Sequence, residues 1–181
     1  MVEAGCEQCG RSLILSRTDA RFCSTRCRVA WHRAYRRLPV ELTSRARWIR
    51  WKRIYRNGKL DKLPLTAWDE IASSTNAKTW STYAAATASK VGDGLGFVLN
   101  GDGLSCIDID HCIAAGVVDP RAIDFVNAAE PFYVEISPSG DGLHAWTFHP
   151  PAGRNRYRLE NGLSVEWYDT GRYMTVTGRR L

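Results

Sequence analysis

Bulky and basic residues alternate over residues 47–55 (RWIRWKRIY), the period-two pattern of a strand with one face turned inward. Asn57-Gly58 follows, a dipeptide suited to a tight hairpin, so KLDKLPL is expected to return as the partner strand. Ser73-Ser74-Thr75-Asn76 reads as a loop ending in a helix cap, with Thr79-Trp80 and the alanine-rich residues 83–90 supplying the helix. Gly92-Asp93-Gly94 turns into a strand over 95–99, and Asn100-Gly101-Asp102-Gly103 reads as a second hairpin turn into residues 104–111 (LSCIDIDH). Asp119-Pro120 starts a helix that runs to Ala129, and strands are expected at 133–136, 143–148, 163–168 and 173–177. Near the N-terminus a helix opens at Cys23 and is ended by Pro39, and residues 41–46 (ELTSRA) look like a join between two modules. The pattern predicts an α+β chain with a largely antiparallel or mixed sheet covered by helices, without internal repeats.

One of these strands carries acids. Residues 104–111 place Asp108 and Asp110 two apart in an otherwise apolar run. A strand puts i and i+2 on one face, so both carboxylates project to one side while Ile107 and Ile109 pack on the other. Side-by-side acids repel unless a cation lies between them, and Mg²⁺ favours carboxylate oxygens plus substrate phosphates. The stretch therefore suggests metal-assisted phosphoryl or nucleotidyl chemistry. Its plain alternative is a strand end whose acids face water or pair with arginine.

Charge separates the chain in two. Residues 1–60 hold 15 Lys and Arg against 4 Asp and Glu, and residues 61–181 hold 10 against 15, for an overall +6. A basic first third points to a polyanion, and Trp31, Tyr35, Trp48, Trp51 and Tyr55, interleaved with the cations, are candidates to stack on bases. A solvated basic helix without a partner is the alternative. No apolar run approaches a membrane span and no secretion signal opens the chain, so a cytoplasmic location is expected and a membrane is not.

Four of the six cysteines lie in the first 27 residues, as Cys6-x2-Cys9 and Cys23-x3-Cys27 with thirteen residues between the pairs. Two such pairs converge well on tetrahedral Zn²⁺, with Gly10 easing the first turn and Cys23 and Cys27 on one face of a helix start. Two disulfides are the alternative. Four thiolates close the coordination shell, which makes the site structural, and it would brace a basic helix bearing Arg26, Arg28, Arg33, Arg36 and Arg37 as a DNA contact or a protein contact. Cys106 and Cys112 are read as buried small residues.

Two further pieces complete a candidate site. Ser137-Pro-Ser139-Gly140-Asp141-Gly142-Leu143-His144 lies between two expected strands and offers backbone N–H groups, two hydroxyls and an imidazole to an anion such as a triphosphate; an ordinary glycine-rich hairpin would look similar. Glu166 sits in a strand of large apolar residues, where a metal would justify it and a solvent-facing position would equally do so. Asp169 in Asp169-Thr170-Gly171 reads as a turn cap.

LSCIDIDH, SPSGDGLH and VEWYDTGRYMTVTG, in that order, resemble the primase-polymerase domains of phage and plasmid replication proteins, in the archaeo-eukaryotic primase superfamily. RWIRWKRIYRNGKLDKLPL, ASSTNAKTW and DGLGFVLNGDG look like the opening of that domain, so the resemblance covers residues 46–181, with the zinc module over residues 1–40 outside it. It implies an RRM-like core with a companion α/β lobe, and a DNA-directed nucleotidyltransferase that makes or extends primers on single-stranded DNA from nucleoside triphosphates. Asp108, Asp110 and Glu166 would hold Mg²⁺ or Mn²⁺. His144, Ser137 and Ser139, with Arg172 and Lys62, would contact the triphosphate. Relatives that continue into helicase modules suggest a replicative helicase as a partner, in a bacterial host or encoded by a phage or plasmid. The competing readings are a non-catalytic, zinc-containing nucleic-acid-binding replication factor and a metal-dependent nuclease.

Overall fold

The first helix, α1 (Thr25–Tyr35), begins where the Ser24 hydroxyl accepts from the backbone N–H of Cys27 at 3.2 Å, a serine cap that satisfies one of the free donors of a helix start. It belongs to the first of two units, residues 1–37 and 38–181. The computed structural model describes residues 5–6, 9, 11–13, 20–35, 37–151, 155–159 and 162–181, with side chains 31–35 and 157 outside the description.

The second unit starts before its first strand. A short helix, α2 (Val40–Thr43), buries Leu42, whose carbonyl accepts from the indole N–H of Trp48 at 3.2 Å. The segment that reads as a join is thus part of the second unit. Strand β1 (Trp48–Arg56) and strand β2 (Lys59–Leu65) pair antiparallel through Asn57 and Gly58, both at positive φ, 52° and 73°, as a two-residue hairpin turn requires. Asn76 caps a 3-10 turn at Ala77–Thr79, and Thr82 caps α3 (Tyr83–Ala88) by accepting from the N–H of Ala85 at 3.2 Å. Then come β3 (Gly94–Asn100), β4 (Ser105–Ile109), the small hairpin of β5 (Ile113–Ala114) and β6 (Val117–Val118), and α4 (Pro120–Ala128), capped by Asp119. The remainder is β7 (Tyr133–Ile136), β8 (Leu143–Thr147), β9 (Arg156–Arg158), β10 (Ser164–Tyr168) and β11 (Thr170–Val176).

These strands form two larger antiparallel sheets, one in the order β11-β3-β1-β2 and one in the order β7-β8-β4-β10-β9. The mixed α+β, antiparallel class expected from the sequence is present. The 100–103 turn differs from expectation: it does not close a hairpin but carries the chain from one sheet to the other. Both edges of β3 are taken by β1 and β11, and both edges of β4 by β8 and β10, so the two have no edge left to share.

The five-stranded sheet buries both faces. On one, Tyr133, Trp146, Cys106 and Tyr168 stand in register and pack on Trp48, Phe97, Leu99, Met174 and Val176 of the other sheet. Phe97 meets Trp146 edge to face, with ring centroids 5.6 Å apart, a favoured aromatic geometry. On the other face Ile107, Ile109, Leu143, Ala145 and Val165 pack against Ala122 and Val126 of α4. Cys106 and Cys112 are buried, as expected. Trp48 and Trp51 are 0% and 4% exposed, so these two are core residues and not stacking platforms, because they lie in the half of β1 that β3 and the core cover. Among the described residues no helix is long and apolar enough to cross a membrane.

Trp146 is fully buried between the sheets, so Trp146→Ala should lower unfolding free energy by about 3–5 kcal/mol in a denaturant titration followed by circular dichroism.

Candidate active site

Two residues along from that aromatic row, the same face of the five-stranded sheet turns polar. Glu135 of β7 pairs with His144 of β8, His144 with Asp108 of β4, Asp108 with Glu166 of β10, and Glu166 with Arg156 of β9. Period-two alternation and antiparallel register together place five chemical side chains in one line across five strands.

His144 is buried between two carboxylates. Its Nδ1 lies 3.6 Å from Glu135 Oε1 and its Nε2 3.5 Å from Asp108 Oδ1. Burial alone pulls the imidazole pKa down, but Glu135 and Asp108 outweigh it and the net shift is upward. Burial raises the pKa of Asp108, with His144 and Lys62 opposing and Asp110 and Glu166 reinforcing the rise. Asp108 Oδ1, Glu135 Oε1 and His144 Nδ1 are buried without a hydrogen-bond partner. Glu135 is completely buried. Its Oε2 accepts from the Tyr133 hydroxyl at 3.1 Å, the Thr177 N–H at 3.1 Å, the Thr177 hydroxyl at 3.2 Å and the Gly178 N–H at 2.8 Å. Sequence reasoning missed Glu135, although an acid at the inward position of Tyr133-Val-Glu-Ile is the same kind of signal that singled out Glu166.

Glu166 is gripped from two sides. Arg156 Nε is 2.8 Å from Oε1, while the Tyr168 hydroxyl, at 2.7 Å, and Arg172, at 3.2 Å, both donate to Oε2. Arg156 was also missed, because β9 is only three residues long and carries no periodic signal.

Asp108, His144 and Glu166 line a cleft of about 470 Å³, together with Lys62 of β2, Arg172 of β11 and Ser74. Of the site residues expected from the sequence, five therefore meet here. Asp110 follows the end of β4 in an exposed turn, near enough to bear on Asp108 but not on the cleft wall. Ser137 and Ser139 are also off the wall. Their hydroxyls lie 2.9 Å apart, and Ser139 donates to Asp141, which also meets His111 at 2.6 Å. Gly142 admits no side chain, since a Cβ there would lie 2.8 Å from the carbonyl oxygen of Ile109. The loop is thereby held against the end of the acidic strand.

The donors suit a hard divalent cation in one respect: Asp108 presents a buried, unpartnered carboxylate oxygen beside a cross-strand glutamate. The oxygens of Asp108, Asp110 and Glu166 do not all fall within 4.8 Å of one another, as the Cys6, Cys9, Cys23 and Cys27 sulfurs do. In the N-terminal unit the Cys9–Cys23, Cys23–Cys27 and Cys27–Cys9 sulfurs are 3.6, 3.6 and 3.8 Å apart, and none of the four cysteines is joined in a disulfide. Tetrahedral sulfur ligands at about 2.3 Å from Zn²⁺ stand about 3.8 Å apart, so the cluster fits zinc, and its sulfurs stand well beyond the length of a disulfide bond. Hydrogen bonds to the Cys27 and then the Cys9 sulfur push the Cys23 thiol up to about 12. Arg26, Arg28 and Arg37 are exposed; Gly10, Arg36 and the side chains of Trp31, Arg33 and Tyr35 lie outside the described residues.

No family model matches the chain. It is similar to a protein named DNA primase-polymerase from Nitratiruptor phage NrS-1, with 35% identity over 145 residues, covering 76% of this chain and 20% of that protein. The chain thus spans about a fifth of the length of the curated relative it matches.

Metal analysis of the purified chain should find one Zn²⁺ per molecule, released by a mercurial thiol reagent, and Cys23→Ser should lose it while residues 38–181 stay folded. Glu135→Ala strands His144 and the four donors on Oε2, and should cost about 3–5 kcal/mol of unfolding free energy.

Proposed function

We propose that this chain carries the catalytic centre of a DNA primase-polymerase, joining nucleotides on a single-stranded template. One observation carries the reading: the in-register pair Asp108 and Glu166 shares a cleft with three phosphate-seeking side chains, Lys62, Arg172 and His144. Acids that hold metals and cations that hold phosphates are needed together at a nucleotidyl-transfer site. The likeness to a phage protein named DNA primase-polymerase supports the same reading. In this reading the five-stranded sheet backed by α4 is the RRM-like core and the four-stranded sheet belongs to the companion lobe.

Asp108 and Glu166, with Asp110 drawn in from its turn at the end of β4, would hold Mg²⁺ or Mn²⁺, and the ions would supply charge neutralisation at the phosphates and acidify the attacking 3′-hydroxyl. The new bond joins the 3′-oxygen to the α-phosphorus, the bond to the β-phosphate oxygen breaks, pyrophosphate leaves, and the hydroxyl proton passes to solvent. Arg172 now bonds Glu166, and it turns to the β- and γ-phosphates when nucleotide enters. Lys62 meets them from the opposite sheet. His144, with Glu135 3.6 Å from its Nδ1, donates from Nε2 to a phosphate oxygen. The Ser137–Ser139 loop closes the triphosphate end with its hydroxyls and backbone N–H groups. The zinc-braced module, with Arg28, Arg33, Arg36 and Arg37, helps hold single-stranded DNA by charge.

The test is primer-free synthesis on single-stranded template with labelled ribo- or deoxynucleotides and Mg²⁺ or Mn²⁺. Asp108→Ala should cut incorporation by about 100-fold or more while template affinity stays within about threefold. Undiminished synthesis by the variant overturns the assignment, and template cleavage without incorporation by the unmodified chain replaces it with the nuclease reading.

A further inference from the structure

The β1–β2 hairpin outruns its sheet. β1 pairs with β3 only from Trp48 to Trp51, whereas its pairing with β2 continues to Arg56 opposite Lys59. Residues 52–62 form this outer ribbon, with five cations, Lys52, Arg53, Arg56, Lys59 and Lys62, all exposed, and one acid, Asp61. The register sets like against like, Arg53 opposite Lys62 and Arg56 opposite Lys59. Like charges directly opposite on a ribbon are destabilising. Asp61 reaches Arg56, at 3.7 Å, and among the described residues no carboxylate lies within ion-pair distance of Lys52, Arg53, Lys59 or Lys62. An anion bound between these cations would relieve their repulsion.

One face of it carries more than charge. Alternation puts Arg53 and Tyr55 on the same side, opposite Lys62 and Leu60. Tyr55 is 82% and Leu60 58% exposed, an aromatic ring and an apolar side chain left in water beside two cations. Trp51 lies under both, 6.0 Å from the Arg53 guanidinium and 5.8 Å from the Lys62 ammonium. The Tyr173 hydroxyl donates to the Lys62 carbonyl at 2.5 Å and ties the ribbon to β11. Leu60 and Lys62 are also part of the cleft wall, so this face runs into the cleft.

We propose that the Arg53–Tyr55–Leu60 face, which leads to Lys62 at the cleft edge, is a binding track for single-stranded nucleic acid, with a phosphate at Arg53 and a base stacked on Tyr55. An acidic peptide would use the cations but has no need of an exposed flat ring between them, whereas a polymer that alternates phosphate and base uses both. That the bound strand is the template rests on the proposed function; the binding itself does not.

The test is fluorescence anisotropy with labelled oligodeoxythymidylate and the whole, zinc-loaded chain, without Mg²⁺ or nucleotide. Tyr55→Ala should weaken binding about tenfold and Tyr55→Phe by less than about twofold. Arg53→Ala should reduce the slope of log affinity against log salt by about 0.7. Wild-type affinity and slope in the Arg53→Ala, Tyr55→Ala double variant overturn the proposal, as does a loss with Arg53→Ala that Tyr55→Ala does not share. Lys78→Ala, an exposed cation outside both the ribbon and the cleft, should bind as the unmodified chain does, and because the assay holds no metal or nucleotide, failure of the catalytic reading in the synthesis assay and failure of the track are separate results.

Discussion

The antiparallel register of β7-β8-β4-β10-β9 is the constraint on which the site depends. It aligns Glu135, His144, Asp108, Glu166 and Arg156 across five strands. A slip of one residue in any strand would turn its polar member toward α4 and an apolar neighbour toward the cleft. The register is held by what flanks the row. Tyr133, Trp146, Cys106 and Tyr168 fill the space between the sheets, and Ile109, Leu143 and Val165 are committed to the helix side. Large aromatic side chains have no other place to be buried, so the hydrophobic packing fixes the chemistry.

Charge in the cleft comes from both sheets. The five-stranded sheet contributes Asp108, Glu166 and His144, while Lys62 and Arg172 come from the edge strands of the other. Lys62 favours the ionised form of Asp108 against its burial, and Arg172 occupies Glu166. Neither sheet alone could hold this mixture, because unpaired buried acids or a bare cluster of cations would each be costly. The N-terminal unit faces a different problem. At 37 residues it is too small for a core of its own, and four sulfurs at zinc spacing offer a ligand-based substitute.

The elements with strong local signals were legible from residue order. Asn57-Gly58 made its hairpin, Asp119-Pro120 opened its helix, and the period-two runs around 48–56, 105–109, 133–136 and 164–168 became strands. Asn100-Gly101-Asp102-Gly103 had equally good turn chemistry and was misleading, since turn residues specify local backbone and not which sheet the next strand joins. Trp48, Trp51 and Tyr55 looked alike in sequence as bulky positions in a basic strand. Burial separated them, because only the first half of β1 lies inside a sheet.

The sequence by itself determined which residues could do chemistry: four cysteines in two pairs, two acids two positions apart, a serine-glycine loop ending in histidine, and a lone glutamate among apolar neighbours. Alternation assigned Asp108 its face, away from Ile107 and Ile109. Only the tertiary structure decided which of them meet. Cross-strand neighbours such as Asp108 and Glu166 are 58 positions apart, and nothing local sets their register. It is fixed when aromatic side chains from two sheets are buried together, a condition met only by the whole fold.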